Sequence, residues 1–533
     1  MDNLKIPYQD LRFYSNIIKD YLDRKDEVRP FYHRFPTLHN FEAQIQEKQA
    51  EWKEAPPKRA SLVEVLRDQY QSLPENEHVA SNINLLSSDN TFTITTGHQL
   101  NLFTGPLYFL YKIASTINLC KKLKEAYPDR NFVPIFWMAT EDHDFEEVQY
   151  FNFGDRKIVY DREAGGAVGR LDNSGLDKVY DSFETLLGNH EHAKQLKNLF
   201  KNAYLSHKNL ADATRYIAHE LFGQEGLVVL DADDARLKQH AIGHFEQDLL
   251  DNLAFERVNE TIDAFPPEYK VQVNPREINL FYLTDEHRGR IIFKDEKYFV
   301  DGVDLAFAKA ELLKELHDHP ERFSPNVILR PLYQEIILPN LCYIGGGGEM
   351  AYWLELKSFF EASKVTFPIL LLRNSAHLAT SKELDKLSRL KLQPADLFQE
   401  EFELEEQVTR QISHINIDFE PQKRHLKNQF ADLYDLAEKT EKSFKTAVAA
   451  QEQKQINGLE HLEKRLLKAQ KRKLADEIER SLKLQKEWLP SGGLQERVTN
   501  FSYFYQNYGS DLIDKILEGL DPLDLRFTVI KID

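Results

Sequence analysis

The sequence predicts an α/β core built on a parallel sheet, with a long helical domain added to it. Three observations predict this. A β-branched and aromatic run, Thr91 to Thr95, is followed by a helix-length amphipathic stretch, Leu107 to Lys124, and then by a second run, Phe132 to Met138, which is the order of a βαβ unit. Short apolar runs of the same kind recur at Leu227 to Leu230, Leu341 to Ile344 and Pro368 to Leu372. From Ser381 to Trp488 charged and Gln residues take over, and apolar residues fall at alternating three and four spacings.

Taken in order, the first 85 residues read as helical, with Leu62, Val65, Leu66 and Tyr70 on one face and Pro56–Pro57 as punctuation. In the βαβ unit, Thr104 is placed to cap the helix and Pro106 suits its first turn, where a missing N–H costs nothing. Residues 150–222 read as a helical insert. Gly223 and Gly226 then bracket a third strand that ends in Asp231–Ala232–Asp233–Asp234. Residues 270–300 read as a β-rich insert: Val271–Gln272–Val273, Asn279 to Thr284, Gly289 to Lys294 and Lys297 to Val300 as strands, with Glu286 to Gly289 in a turn. The core resumes with a strand at Val327 to Leu329. In the helical domain Leu426, Phe430, Leu433 and Ala437, then Leu459, Leu462, Leu466 and Ala469, mark an antiparallel hairpin or coiled coil, with its reversal expected at Gln451 to Gly458. Pro490–Ser491–Gly492–Gly493 stops it, and Phe527 to Ile532 reads as a final strand. The domain boundaries expected are therefore 1–380 for the core, 381–490 for the coiled coil and 491–533 for a segment packing back on the core.

Composition narrows the function classes. With 68 basic and 86 acidic residues the net charge is −18, which disfavours nucleic acid and anionic membrane surfaces as partners. Two cysteines, Cys120 and Cys342, support neither a disulfide framework nor a cysteine zinc site. Met1 to Pro30 lacks the apolar core of a signal peptide, and no apolar run approaches the roughly 20 residues that span a bilayer. A cytoplasmic protein is expected.

Ligands of parallel sheets bind at the carboxyl ends of the strands, so the segments that follow the strands are the candidate site. Thr96, Gly97, His98, Gln99, Asn101, Thr104 and Gly105 follow the first strand and lead into a helix start whose N–H groups favour an anion. Glu141, Asp142, His143 and Asp144 follow the second; crowded carboxylates suit acid–base work or a substrate ammonium. A metal is the rival reading, disfavoured because successive residues on an extended loop rarely aim three ligands at one centre. Gly345 to Gly348 and Glu349 precede another helix, and four glycines let backbone amides wrap an anion, although neither the P-loop nor the dinucleotide pattern is matched. Arg330 offers a guanidinium for a carboxylate or phosphate, or for a core carboxylate, with Gln334 and Glu335 as further polar contacts; Tyr333 in the same motif and Tyr352 after the glycine loop are further candidates for substrate binding. Trp488, Gln495 and Arg497 stand where coiled coil meets tail, as a second ligand site or as helix-capping residues.

Thr96-Gly-His-Gln, Thr104-Gly-Pro-Leu-Tyr, Phe136-Trp-Met-Ala-Thr-Glu-Asp-His-Asp, Leu329-Arg-Pro-Leu-Tyr-Gln-Glu, Gly347-Gly-Glu-Met-Ala-Tyr-Trp and Gln495-Glu-Arg, in this order, resemble the cysteine-adding enzymes of bacillithiol biosynthesis, the BshC cysteine ligase family. The resemblance implies a Rossmann-like core of nucleotidyltransferase type, a coiled coil through which two chains dimerise, and amide formation between L-cysteine and glucosaminyl malate. It departs from the family at His98, a position often Gln, and in the glycine loop, where Gly-Gly-Pro-Gly is common. Activation of a carboxylate calls for ATP, to AMP or ADP; whether a metal assists is left open. An ATP-independent cysteinyl transferase and a non-catalytic nucleotide- or metabolite-binding assembly protein remain the alternatives.

Overall fold

The computed structural model describes residues 4–533. The chain opens with a short strand, β1 (Leu4–Pro7), and a run of helices that includes Leu38–Glu51 and Pro56–Tyr70. Strands β2 (Thr91–His98) and β3 (Asn131–Met138) follow, joined by the helix Tyr108–Ala126. A hairpin, β4 (Tyr150–Phe153) and β5 (Arg156–Val159), precedes the helices Leu176–Glu184, Glu191–Ser206 and Leu210–Phe222 and then β6 (Val228–Asp231). The next strands are β7 (Leu280–Leu283), β8 (Arg288–Lys294), β9 (Lys297–Val300), β10 (Ala306–Phe307) and β11 (Phe323–Pro325). The core ends with β12 (Asn340–Gly345), β13 (Ile369–Leu372) and β14 (Ala376–Ala379), and β15 (Arg526–Lys531) lies near the carboxyl terminus.

The central sheet has the order β13-β12-β2-β3-β6, with every pairing parallel. All eight residues of β2 are buried, as a strand covered on both faces requires, and their β-branched side chains suit that setting. From β2 the chain steps outward to β3 and β6, then returns to place β12 on the other side of β2. This is the doubly wound, Rossmann-like order, and its switch point lies between β2 and β12. A second sheet, β10-β9-β8-β7-β11, is antiparallel, and a third joins β1, β15 and β14, so both ends of the chain share one sheet.

The chain divides into two compact units. One runs to Ala379 and includes Leu494–Asp533; the other is Thr380–Gly493. In the second, Glu420–Ala437 and Lys442–Lys473 pack as a helical pair around Phe430, Ala437 and Val448.

Four local expectations need correction. The insert 150–222 begins with the β4–β5 hairpin. Val271 to Val273 form no strand, because the amides of Gln272 and Val273 donate to the Glu355 carboxylate (2.7 and 3.3 Å) instead of to a ladder, and the β-rich insert extends to Pro325. Val327 to Leu329 lead into the helix Leu329–Ile337, whose start is fixed by Asn326 Oδ1 accepting from the amides of Ile328 and Leu329. The coiled coil does not reverse at Gln451 to Gly458: a single helical Gly costs about 1 kcal/mol, too little to break a 32-residue helix, and the turn falls at residues 438–441.

Candidate functional site

At the switch point, the carboxyl ends of β2, β3 and β12 surround a crevice of about 680 Å³. Its β2 wall is built around a buried lysine. Lys112, on the helix after β2, donates to the Gly97 carbonyl (2.7 Å) and pairs with Glu349 (2.5 Å). Glu349 also accepts from Tyr343 Oη and from the Gly346 amide, both at 2.8 Å, the second bond tying the start of the helix Gly347–Leu354. Burial alone would raise this carboxyl, but Lys112 and the two hydrogen bonds outweigh it and hold it at about 2. His98 is buried, stacked on Tyr108 with ring centroids 5.1 Å apart, and its Nε2 has no partner. Burial, reinforced by Lys112, pushes the imidazole down to about 3, so it is neutral at physiological pH.

The β3 end supplies the acidic loop. Gln99 ties it to β2 by donating to Asp142 (2.8 Å) and Glu147 (3.1 Å). Glu141 is paired with the fully buried Lys238, whose ammonium also meets Asp233 at 2.9 Å, and burial raises the Glu141 carboxyl against the pull of Lys238. One donor atom from each of Asp142, His143 and Asp144 lies within 4.8 Å of the others. The loop is therefore curled where an extended one was expected, with His143 Nδ1 already against the Arg288 guanidinium.

The opposite wall is cationic. Arg288, the first residue of β8, donates to Ser324 Oγ and the Pro325 carbonyl (both 3.1 Å), lies over the Phe281 ring at 4.0 Å and meets His143 Nδ1 at 3.0 Å. Arg330 bonds Gln334 (3.0 Å) and Tyr352 (3.4 Å) between the rings of Trp137 and Tyr343. Arg373 is buried and doubly bonded to Glu496 at 2.8 and 3.1 Å. Lys112, Arg288 and Arg373 were not among the candidates read from sequence. Only Lys112 left a signal there, as a lone charge on an otherwise apolar helix face.

Of the expected site residues, the crevice is lined by Gly97, His98, Gln99, Glu141 to Asp144, Arg330, Gly346 to Glu349, Tyr352 and Arg497. The others are turned to structural work. Thr96 donates to the Ile344 carbonyl, Tyr333 to that of Ala232, and Gln334 to Glu335. Gly345 ends β12 just behind the lining. Asn101, Thr104 and Gly105 lie away from the crevice, and Thr104 does not cap the helix. The Leu107 amide donates to the Thr499 carbonyl, and Asn500 Nδ2 donates to the carbonyls of Phe103 and Gly105, so the C-terminal segment covers the helix start that was expected to bind an anion. Of the proposed second site, Trp488 is fully buried beside Phe398, and the Gln495 amide bonds both backbone groups of Leu378.

Fold and site together define a Rossmann-like α/β protein with a polar crevice at its switch point and a separate coiled-coil unit. Residues 1–374 match the family described as Bacillithiol biosynthesis BshC, N-terminal Rossmann-like domain, and residues 376–532 match Bacillithiol biosynthesis BshC, C-terminal coiled-coil domain. The chain belongs to the BshC family. A protein of Christiangramia forsetii named "Putative cysteine ligase BshC" is 55% identical over 530 residues, 98% of each chain. Proteins of the same name from Flavobacterium johnsoniae and Bacillus cereus are 54% identical over 527 residues (99% of each chain) and 25% identical over 545 residues (97% of this chain, 98% of the other).

Proposed function

We propose that this protein is a cysteine ligase that joins the carboxyl group of L-cysteine to the amine of glucosaminyl malate in the last step of bacillithiol synthesis, in the cytoplasm. The observation that carries this reading is the polarity of the crevice: a carboxylate loop, Glu141 to Asp144, faces arginines on the opposite wall. Carboxylates suit an amine nucleophile and arginines suit the malyl carboxylates, so one cavity offers complementary charge to both ends of the acceptor. Glu141 is held by Lys238, which leaves Asp142 as the better group to receive the proton of the attacking amine. Arg330 would hold a carboxylate. ATP, as co-substrate, would activate the cysteine carboxylate by transferring to it an adenylyl or phosphoryl group, which would leave as AMP or phosphate when the amine forms the amide, and Gly346 to Gly348 line the crevice where its phosphates would sit. The second unit exposes Leu433, Leu436, Phe444 and Leu462, apolar positions that support pairing of two chains. No helix among the described residues is long and apolar enough to cross a membrane.

The test is amide formation by purified protein from cysteine, glucosaminyl malate and ATP, with AMP and ADP followed in parallel. Product without nucleotide turnover refutes the ligase form and favours a transferase using a preactivated cysteine. Asp142→Asn is expected to lower kcat by about 10²-fold or more. Full activity in a folded Asp142→Asn protein removes that carboxylate from the chemistry.

A further inference from the structure

The C-terminal segment places Glu496 against Arg373 and Arg497 in the lining of the crevice. Glu496 is fully buried and clamps the two terminal nitrogens of Arg373, and Arg373 Nη1 also reaches the Asn374 carbonyl and Ser375 Oγ at 2.9 and 3.0 Å. This leaves Nε as the one nitrogen of the Arg373 guanidinium without a hydrogen-bond partner. Arg373 is only 3% exposed, its Nε has no hydrogen-bond partner, and a Cβ at Gly346 would stand 3.7 Å from it. His98 Nε2, which lines the same crevice, is likewise buried without a partner.

Charge bookkeeping at this end of the crevice leaves a surplus. Glu349 is matched by Lys112, and Glu496 by Arg373. Arg497 has no ion-pair partner among the described residues, and Arg330 bonds only the neutral Gln334 and Tyr352. Two guanidiniums without an ion-pair partner, half-buried Arg330 and exposed Arg497, thus line the same crevice as the start of the helix Gly347–Leu354, where a Cβ on Gly348 would meet nothing within 4 Å. Helix-start amides, a buried unspent N–H and two unpaired arginines are complementary to a compact dianion, and an unpartnered buried donor costs free energy until something accepts from it.

We propose that Arg373 Nε, Arg497, Arg330, His98 Nε2 and the amides at Gly347 and Gly348 form a subsite for a dianionic oxyanion, completed only by the C-terminal segment. The inference rests on the crevice being a substrate site, and goes further by making Arg497 a ligand-binding residue and Glu496 the residue that aims Arg373. Two sources carry this chemistry, the phosphoryl group of a nucleotide and the paired carboxylates of a malyl group.

The test is calorimetric titration of the full chain with inorganic phosphate, ATP and malate, a readout that needs no turnover. Arg497→Ala is expected to weaken anion binding roughly tenfold, for the loss of one charged contact, and His98→Phe by less, roughly threefold, for the loss of one neutral hydrogen bond, with Arg497→Lys recovering part of the Arg497 loss. Arg257→Ala, an exposed residue paired with Glu260 outside the crevice, serves as the control and is expected to bind within about twofold of the parent. Selective loss of phosphate and ATP assigns the nucleotide source, and selective loss of malate assigns the substrate carboxylates. Parent-like binding of all three probes by both variants, or no binding of any probe by the parent, overturns the subsite. Anion binding that depends on Arg497 in a protein without ligase activity would leave the subsite standing and remove the proposed function.

Discussion

Glu335 sits fully buried beside β12, accepting from Asn340 (2.7 Å) and Gln334 (2.9 Å), with Lys48 3.6 Å away. Burial outweighs these partners and raises its carboxyl to about 7. Between about pH 4.5 and about pH 7 the folded protein keeps a proton that the unfolded chain has lost, so this group's contribution to stability falls as pH rises through that window, by up to about 3 kcal/mol in all. Glu335→Gln abolishes the titration. Its Tm relative to the parent is therefore expected to improve from about pH 5 to about pH 8, as measured by thermal unfolding; a constant difference would show that Glu335 does not titrate there. The motif containing Glu335 was visible in the sequence as Leu329 to Glu335, but its division of labour was not. Arg330 lines the crevice, while Tyr333, Gln334 and Glu335, about one turn further along the same helix, are buried in the core.

At the scale of elements, the turn between β2 and its helix shows how backbone shape redirected a functional expectation. Gly105 has φ +62° and ψ −137°, a conformation open essentially only to glycine, and a Cβ there would stand 2.7 Å from that of Asn101. Phe103 and Thr104 also have positive φ. This strained turn buries Phe103 among Phe151, Phe183, Phe200 and Phe501 and presents its carbonyls to Asn500. Gly105→Ala is expected to cost about 2–3 kcal/mol, read as a lower denaturation midpoint; an unchanged midpoint would mean the turn relaxes freely. The Thr-Gly-Pro sequence signalled a helix start correctly. Its burial was not legible, because the covering residues Thr499 and Asn500 lie nearly 400 positions away. The glycine loop kept its expected place because it directly follows β12 at the switch point.

For the whole molecule, the polar closure of the core is long-range. β15 pairs with β1 on one side and β14 on the other, and the buried Arg373–Glu496 pair lies directly beside that sheet. The coiled-coil unit, inserted between β14 and this closing segment, keeps Leu436 and Leu462 more than half exposed. With homodimerisation proposed through those positions, Leu436→Glu combined with Leu462→Glu is expected to convert a dimer into a folded monomer, as read by light scattering after size-exclusion chromatography. A parent protein that is already monomeric, or a double variant that remains dimeric, refutes that interface.

Hydrophobic periodicity and turn chemistry are local, and what they govern was determined by the sequence alone: the βαβ unit, the strand-end placement of Gly97 to Gln99 and Glu141 to Asp144, the helical character of the region after Ser381, and the motif order that carries the family resemblance. Tertiary structure alone decided which strand ends meet, since strand order depends on contacts between distant segments. It put the crevice between β2 and β12, and brought Arg288 from the β-rich insert to His143. It also spent Asn500 and Glu496 on carbonyls and a guanidinium more than 100 residues away. Buried charge pairs of this kind have no sequence period, because each is selected by the one partner that the fold delivers to it.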